Sequence, residues 1–301
     1  MQLSWRLKLL NKGLRLFVKP QLRKTSDPSD ALKTLALIAD LVFRKPPFLR
    51  HYLRDGEMHW FASGQCHPGK AVLYFHGGGY VAGSPSVYSG LLGRLSRLSR
   101  IEVCAPDYRL APSNPAPAAF DDCLTAWDHL LEQGFQPKDI VIGGDSAGGG
   151  LALAVLSVLC HRGTLPAGCF VMSPCVDFTM SGESLISNQE SDVILPAERF
   201  PDLAENVLQG LDPKDPRISP LYAGFPGAPN VFMHYSETEI LQSDALRMVE
   251  RLRSFGASAT VNAHPDAPHV WHLLDGWIPE ARASLREIAR FVQDCFVETS
   301  R

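Results

Sequence analysis

The chain has 301 residues, 45% of them hydrophobic and 20% charged, with a formal net charge of -3. That length can bury one large core, as an α/β domain with an insertion or as two smaller domains. So small a net charge gives no electrostatic footprint for nucleic acid. Residues 1–24 hold Arg6, Lys8, Lys12, Arg15, Lys19, Arg23 and Lys24 and no acid, while Leu3, Leu7, Leu10, Leu14 and Phe17 recur at helical spacing. This basic amphipathic helix lacks the continuous apolar core and cleavage site of a signal peptide, and charge interrupts it too often for a bilayer span. Three readings stand: a helix packed over an active site, a membrane-surface helix, or an unanchored tail.

The helical pattern continues from Leu32 to Phe43 and ends at Lys45-Pro46-Pro47. Residues 50–62 read as two short strands around the turn at Asp55-Gly56. Apolar runs then fall at 71–75, 101–105, 139–143, 169–173, 230–235 and 259–263. Amphipathic helical stretches lie between most of them, at 86–99, 117–133, 147–161, 243–255 and 279–296. Such alternation predicts a mostly parallel central sheet with helices on both faces. The interval 177–222 breaks the pattern, with a helix predicted around 197–210, and reads as a lid or binding insertion.

Chemistry concentrates at Gly143-Gly144-Asp145-Ser146-Ala147-Gly148-Gly149-Gly150, between an apolar strand and an apolar helix. Gly144-x-Ser146-x-Gly148 fits the turn that pushes a strained serine above a sheet. Side chains at 144 or 148 are expected to collide with a neighbouring strand or helix, and glycine tolerates unusual backbone angles. A glycine-rich turn without chemistry is the plain alternative; a phosphate loop is disfavoured because no Lys-Ser/Thr pair follows.

Two further stretches supply partners. The strand Val72-Leu73-Tyr74-Phe75 runs into His76-Gly77-Gly78-Gly79-Tyr80, where glycines let backbone N–H groups converge on an oxyanion. His76 is expected to orient that loop rather than take a proton. His269 lies in a proline-bounded loop just past the last strand and is the candidate base; His264 and His272 read as packing residues. A carboxylate should fall between Ser146 and His269 in sequence. Of Glu237, Glu239 and Asp244, Glu239 follows its strand closely and is preferred. Asp244 is expected to serve the first turn of a helix capped by Ser243 and is kept as the alternative acid.

These motifs together, HGGGY at 76–80, Asp107-Tyr108-Arg109-Leu110-Ala111-Pro112, GDSAGG at 144–149, Ser219-Pro220-Leu221, Glu239-Ile240-Leu241 and Pro268-His269-Val270-Trp271, resemble the hormone-sensitive-lipase-like carboxylesterases over essentially the whole chain. The resemblance implies an α/β-hydrolase fold with a catalytic serine at 146 and histidine at 269. It also implies oxyanion amides from Gly78, Gly79 and Ala147, supported by His76, Gly77 and Asp145, and a helical cap. The cap is expected from 1–45 and 178–216, and the catalytic domain from 46–177 and 217–301. This chain departs from many relatives in two places. Glu239 stands where they carry the Asp of Asp-Pro-Leu, and Ser113-Asn114 follows Leu-Ala-Pro where they often carry Glu. Asp107, Arg109 and Asp145 read as buried or semi-buried groups tying loops together. The cap residues Leu185, Ile186, Val193, Ile194, Leu195, Phe200 and Leu203 offer an apolar acyl pocket.

The expected activity is a serine carboxylesterase for short-to-medium acyl esters; amides, lactones, thioesters or a non-catalytic binding role are the alternatives. No cofactor is expected, and no metal, because His269 and His272 lack an H-E-x-x-H or Cys/His cluster. The seven scattered cysteines suit reduced thiols in a cytoplasmic protein. The expected partner is a small-molecule ester, with no nucleic acid, no stable membrane anchor, and a homodimer left open.

Overall fold

The computed structural model describes residues 3–24, 43–54 and 58–298. The helix expected from Leu32 to Phe43, save Phe43 itself, and the turn at Asp55-Gly56 lie outside them. Among the described residues one sheet contains β1 (Leu49–Arg54), β2 (Met58–Ser63), β3 (Ala71–Phe75), β4 (Glu102–Ala105), β5 (Ile140–Asp145), β6 (Gly168–Met172), β7 (Val231–Ser236) and β8 (Ala259–His264). Their spatial order is β1-β2-β4-β3-β5-β6-β7-β8. β2 runs antiparallel to both its neighbours, and every pairing from β4 to β8 is parallel. The predicted mostly parallel sheet is therefore observed, with strand limits within a residue or two of the apolar runs.

Period-two alternation divides the strands between two cores. Leu73, Phe75, Ile142, Val171 and Met233 face the helices Ala118–Glu132 and Ser146–Arg162. Val72, Tyr74, Val141, Phe170 and Met172 face the helices Ser89–Ser99 and Pro279–Glu298. Helix Ser146–Arg162 is apolar nearly all round because it is covered nearly all round, from Ala147 through Leu156 without a break. Its position directly after β5 puts its first turn above the carboxyl ends of the strands, where ligands of open α/β sheets bind.

The N-terminal helix packs against the chain around His269. Ser4 caps it by accepting the Leu7 N–H, a contact worth about 1 kcal/mol, and is itself held by Glu280. Leu7 is fully buried among Ala267, Trp271, Leu274, Ile278 and Ala281, with Leu3 and Leu10 at the margin. Asn11 donates to the Asp266 carbonyl. The expected stripe fails at its end. Leu14–Val18 is a π-helical turn, in which each residue advances less than in an α-helix, so the stripe slips out of phase. Phe17 is 76% exposed, and Lys19 takes the buried position instead. Among the described residues no helix is long and apolar enough to cross a membrane. The described cysteines are all free, and all but Cys66 are buried.

Candidate active site

The turn at Ser146 is set by backbone sterics. A Cβ on Gly144 would lie 2.3 Å from the Gly148 carbonyl oxygen, and one on Gly148 would lie 2.0 Å from that of Phe75. Both glycines are required by close approach, as expected, but neither has a positive φ; the unusual angle belongs to Ser146 itself, at φ 51°. A non-glycine residue in that region is strained, and the strain lifts the hydroxyl away from the strand path. Ala147 and Gly148 occupy the first helical turn, so their N–H groups have no intrahelical acceptor.

The glycine loop is fastened to this turn through Asp145. Its Oδ1 accepts from the Tyr74 hydroxyl at 2.6 Å and the Gly77 N–H at 2.9 Å, and its Oδ2 accepts from the Tyr88 hydroxyl at 3.0 Å. Burial raises the Asp145 carboxyl to about 6, although the three donors pull the other way. Gly78 sits at φ 122°, where a Cβ would overlap the Ala82 carbonyl oxygen, and Gly79 at φ 63° faces Leu203. His76 is fully buried, bonded through Nδ1 to the Gly77 carbonyl and stacked on Tyr108. Burial lowers it to about 4, so it is neutral, which suits a loop-orienting residue.

His269 bridges the two halves of the site. Its Nε2 lies 2.9 Å from Ser146 Oγ, and its Nδ1 lies 2.7 Å from Glu239 Oε2. Burial alone would depress the imidazole, but the Glu239 carboxylate raises it above its ordinary value, with Asp192 and Asp145 adding in the same direction. The next residue, Val270, has φ 49°, a strained value for a β-branched side chain. Glu239 uses its extra methylene to fold back on its own loop, Oε1 accepting the Ser236 N–H at 2.9 Å while Oε2 faces the histidine.

The competing groups lie elsewhere. Asp244 accepts from the Val176 N–H and from Arg247, and burial raises it to about 7. Its helix starts at Gln242 with Leu241 as N-cap, so Ser243 is inside the first turn rather than capping it, and the Ser243 hydroxyl accepts from Ser184. Glu237 is exposed, as expected. His272 is buried beside His234, with rings bonded at 3.0 Å. Asp107 and Arg109 are exposed rather than buried; Arg109 ties its loop to Asp122 through direct guanidinium–carboxylate bonds. Of the residues expected to line an acyl pocket, Val193 and Phe200 are buried, but Ile186 is 80% exposed. Among the described residues no group of His, Cys, Asp and Glu is arranged to hold a metal ion.

Sequence reasoning missed the groups that hold the Glu239 loop. Ser184, Asn188, Ser191 and Asp192 bond to it, yet their partners are main-chain groups about fifty residues away. Backbone partners leave no residue-type pattern. Tyr74 and Tyr88 were missed for another reason: each reads as an ordinary core aromatic until its hydroxyl is located.

A family profile described as the alpha/beta hydrolase fold matches residues 72–273. The chain is 34% identical to an acetyl-hydrolase of Streptomyces hygroscopicus over 75% of this chain and 76% of that protein. A crystal structure of an esterase/lipase from an uncultured bacterium superposes with TM-score 0.91 at 31% identity, covering 98% of this chain and 99% of the other. An esterase from the bacterial hormone-sensitive lipase family gives TM-score 0.90 at 30% identity, covering 98% and 100%. With its sheet order, serine turn and glycine loop alongside these likenesses, the chain belongs to the hormone-sensitive-lipase-like carboxylesterases, carboxylic ester hydrolases of the α/β-hydrolase fold.

Proposed function

We propose that this protein cleaves short-to-medium acyl esters through Ser146, His269 and Glu239. The observation that carries the reading is the unbroken bond chain from Ser146 Oγ through both imidazole nitrogens to Glu239 Oε2. His269 takes the serine proton as Oγ attacks the ester carbonyl, and Glu239 fixes the tautomer and stabilises the imidazolium. The N–H groups of Gly78, Gly79 and Ala147 bind the tetrahedral oxyanion, each donor contributing about 3 kcal/mol. The positive end of helix Ser146–Arg162 adds to that field. His269 then protonates the leaving alcohol, and water repeats the attack to release the acid.

We assign the described residues of 1–45 and of 178–216 to a cap over this centre and the other described residues, from 46–177 and 217–301, to the catalytic domain. Bonds from Arg15 and Lys19 to the 189–192 segment support that grouping. A short acyl group suits a site where Leu203 presses within 3.4 Å of a Cβ position on Gly79, and one relative is named an acetyl-hydrolase.

A series of p-nitrophenyl esters of increasing acyl length, assayed with wild type and Ser146→Ala, tests the reading. Wild type should prefer acetate to hexanoate, and Ser146→Ala should lose activity by a factor on the order of 10^6 while staying folded. Undiminished turnover by Ser146→Ala would sink it.

A further inference from the structure

The Glu239 loop carries a few bonds of its own, among them the Ser236 N–H to Glu239 Oε1 and the Thr238 N–H to the Ser236 hydroxyl, but most of its carbonyls look outward for donors. Its backbone carbonyls are taken, one after another, by side chains of a single short stretch of the insertion. Asn188 Nδ2 donates to the Glu237 carbonyl at 3.0 Å and to the Glu239 carbonyl at 2.9 Å. The Ser191 hydroxyl donates to the Thr238 carbonyl at 3.0 Å, and the Ser184 hydroxyl to the Ile240 carbonyl at 2.6 Å. Asp192 Oδ2 accepts the Ile240 N–H at 3.0 Å. The peptide unit between Glu239 and Ile240 is thus gripped at both ends, its oxygen by Asn188 and its N–H by Asp192.

This stretch is in turn braced from both sides. Asp192 Oδ1 accepts the N–H groups of Ile194 and Leu195, fixing the carboxylate's own orientation. Lys19, from the N-terminal helix, is almost fully buried and donates to the carbonyls of Gln189 and Asp192 at 2.6 and 2.7 Å. Burial lowers its ammonium, and the charge of Asp192 is the leading influence opposing that. Arg15 adds a bond to the Ser191 carbonyl. A buried lysine is costly to keep unless it has such partners.

We propose that Asn188 and Asp192 are positioning residues for catalysis: they set the rotation of the Glu239–Ile240 peptide, and so the aim of the Glu239 carboxylate at His269. This rests on the assignment of Glu239 as the triad acid. The reason is geometric. Glu239 hangs from that peptide, and its Oε2 must meet Nδ1 at hydrogen-bonding distance while Oε1 keeps the Ser236 N–H. A misplacement of about 1 Å at a catalytic group costs up to about 100-fold in rate. The Asp192 charge also acts through space on His269 in the same sense as Glu239.

The test is a double-mutant cycle of Asp192→Asn with Glu239→Gln, read as kcat, KM and the kcat/KM–pH profile on p-nitrophenyl butyrate. Asp192→Asn alone should lower kcat on the order of 10- to 100-fold, leave KM within about twofold, and move the acidic limb to lower pH. In the Glu239→Gln background the same change should cost less than about threefold, because the group being aimed is gone. Losses that multiply in full would overturn the proposal, assigning Asp192 a role apart from Glu239. A harmless Glu239→Gln would instead sink the acid assignment, and the proposal with it. Should Asp192→Asn fail to fold, Asn188→Ala replaces it in the same cycle; a folded Asn188→Ala with wild-type kcat overturns the proposal.

Discussion

The two halves of the proposed active site are built by different means. At the serine turn the geometry is fixed by main chain against main chain. Gly144 and Gly148 let helix Ser146–Arg162 sit against the end of β3, and the carbonyl of Phe75 fills the space that a methyl group would need. On the acid side, side chains from a distant insertion hold a loop by its carbonyls. The packing at the serine turn fails by clash, while the glycine loop beside it hangs on the Asp145 carboxylate. The acid side can be loosened one bond at a time, so rate there can change without loss of fold.

That contrast predicts a hierarchy of effects. The largest belongs to Gly148→Ala, whose Cβ would sit 2.0 Å from the Phe75 carbonyl oxygen, with backbone rather than a flexible side chain in the way. It should destabilise by more than about 4 kcal/mol, read as loss of the cooperative thermal transition. A normal melting curve for this variant would show that the helix can slide and that the nucleophile side is softer than its contacts imply.

Next is Asp145→Asn, which keeps a polar group of the same shape but removes the charge that three donors share. The glycine loop should lose its aim, with kcat falling by roughly 100-fold and KM little changed. Glu239→Asp comes below it. One methylene fewer cannot reach both the Ser236 N–H and His269, so kcat should fall by about tenfold while the melting temperature stays within a few degrees.

The pH profile separates the halves further. In the proposed mechanism His269 must be neutral to accept the serine proton, so activity should rise with pH through its ionisation. Because Glu239 raises that ionisation, the acidic limb in wild type should lie above the ordinary histidine value, and Glu239→Gln should shift it down. A limb that stays in place would detach Glu239 from His269. The smallest effect expected is Ile186→Ser: an apolar residue 80% exposed should change stability by less than about 0.5 kcal/mol and leave acyl preference unaltered.

The same contrast explains what could be read from the sequence. The sheet was legible because alternating apolar runs and amphipathic helices are written in residue types. The serine turn and glycine loop were legible because steric demand selects glycine, and glycine is visible. His269 and Glu239 followed from chain order and from their places just past β8 and β7. Ser184, Asn188, Ser191 and Asp192 were hidden because what they bind is backbone, which every residue has. Phe17 was misplaced because a π-helical turn changes the phase of a stripe without changing the composition that suggests it. Ser243 looked like an N-cap by type, but the helix starts one residue earlier and its hydroxyl is drawn to Ser184.

The central claim is that Glu239, and not Asp244, completes the relay to Ser146. Steady-state hydrolysis of p-nitrophenyl butyrate by Glu239→Gln and Asp244→Asn, assayed side by side at one pH, measures it directly. The bonds predict a kcat loss of about 10^4-fold for Glu239→Gln, because the imidazole loses its tautomer and its counter-charge. Asp244→Asn should alter mainly stability, through Val176 and Arg247. A larger rate loss in the Asp244 variant would contradict the account.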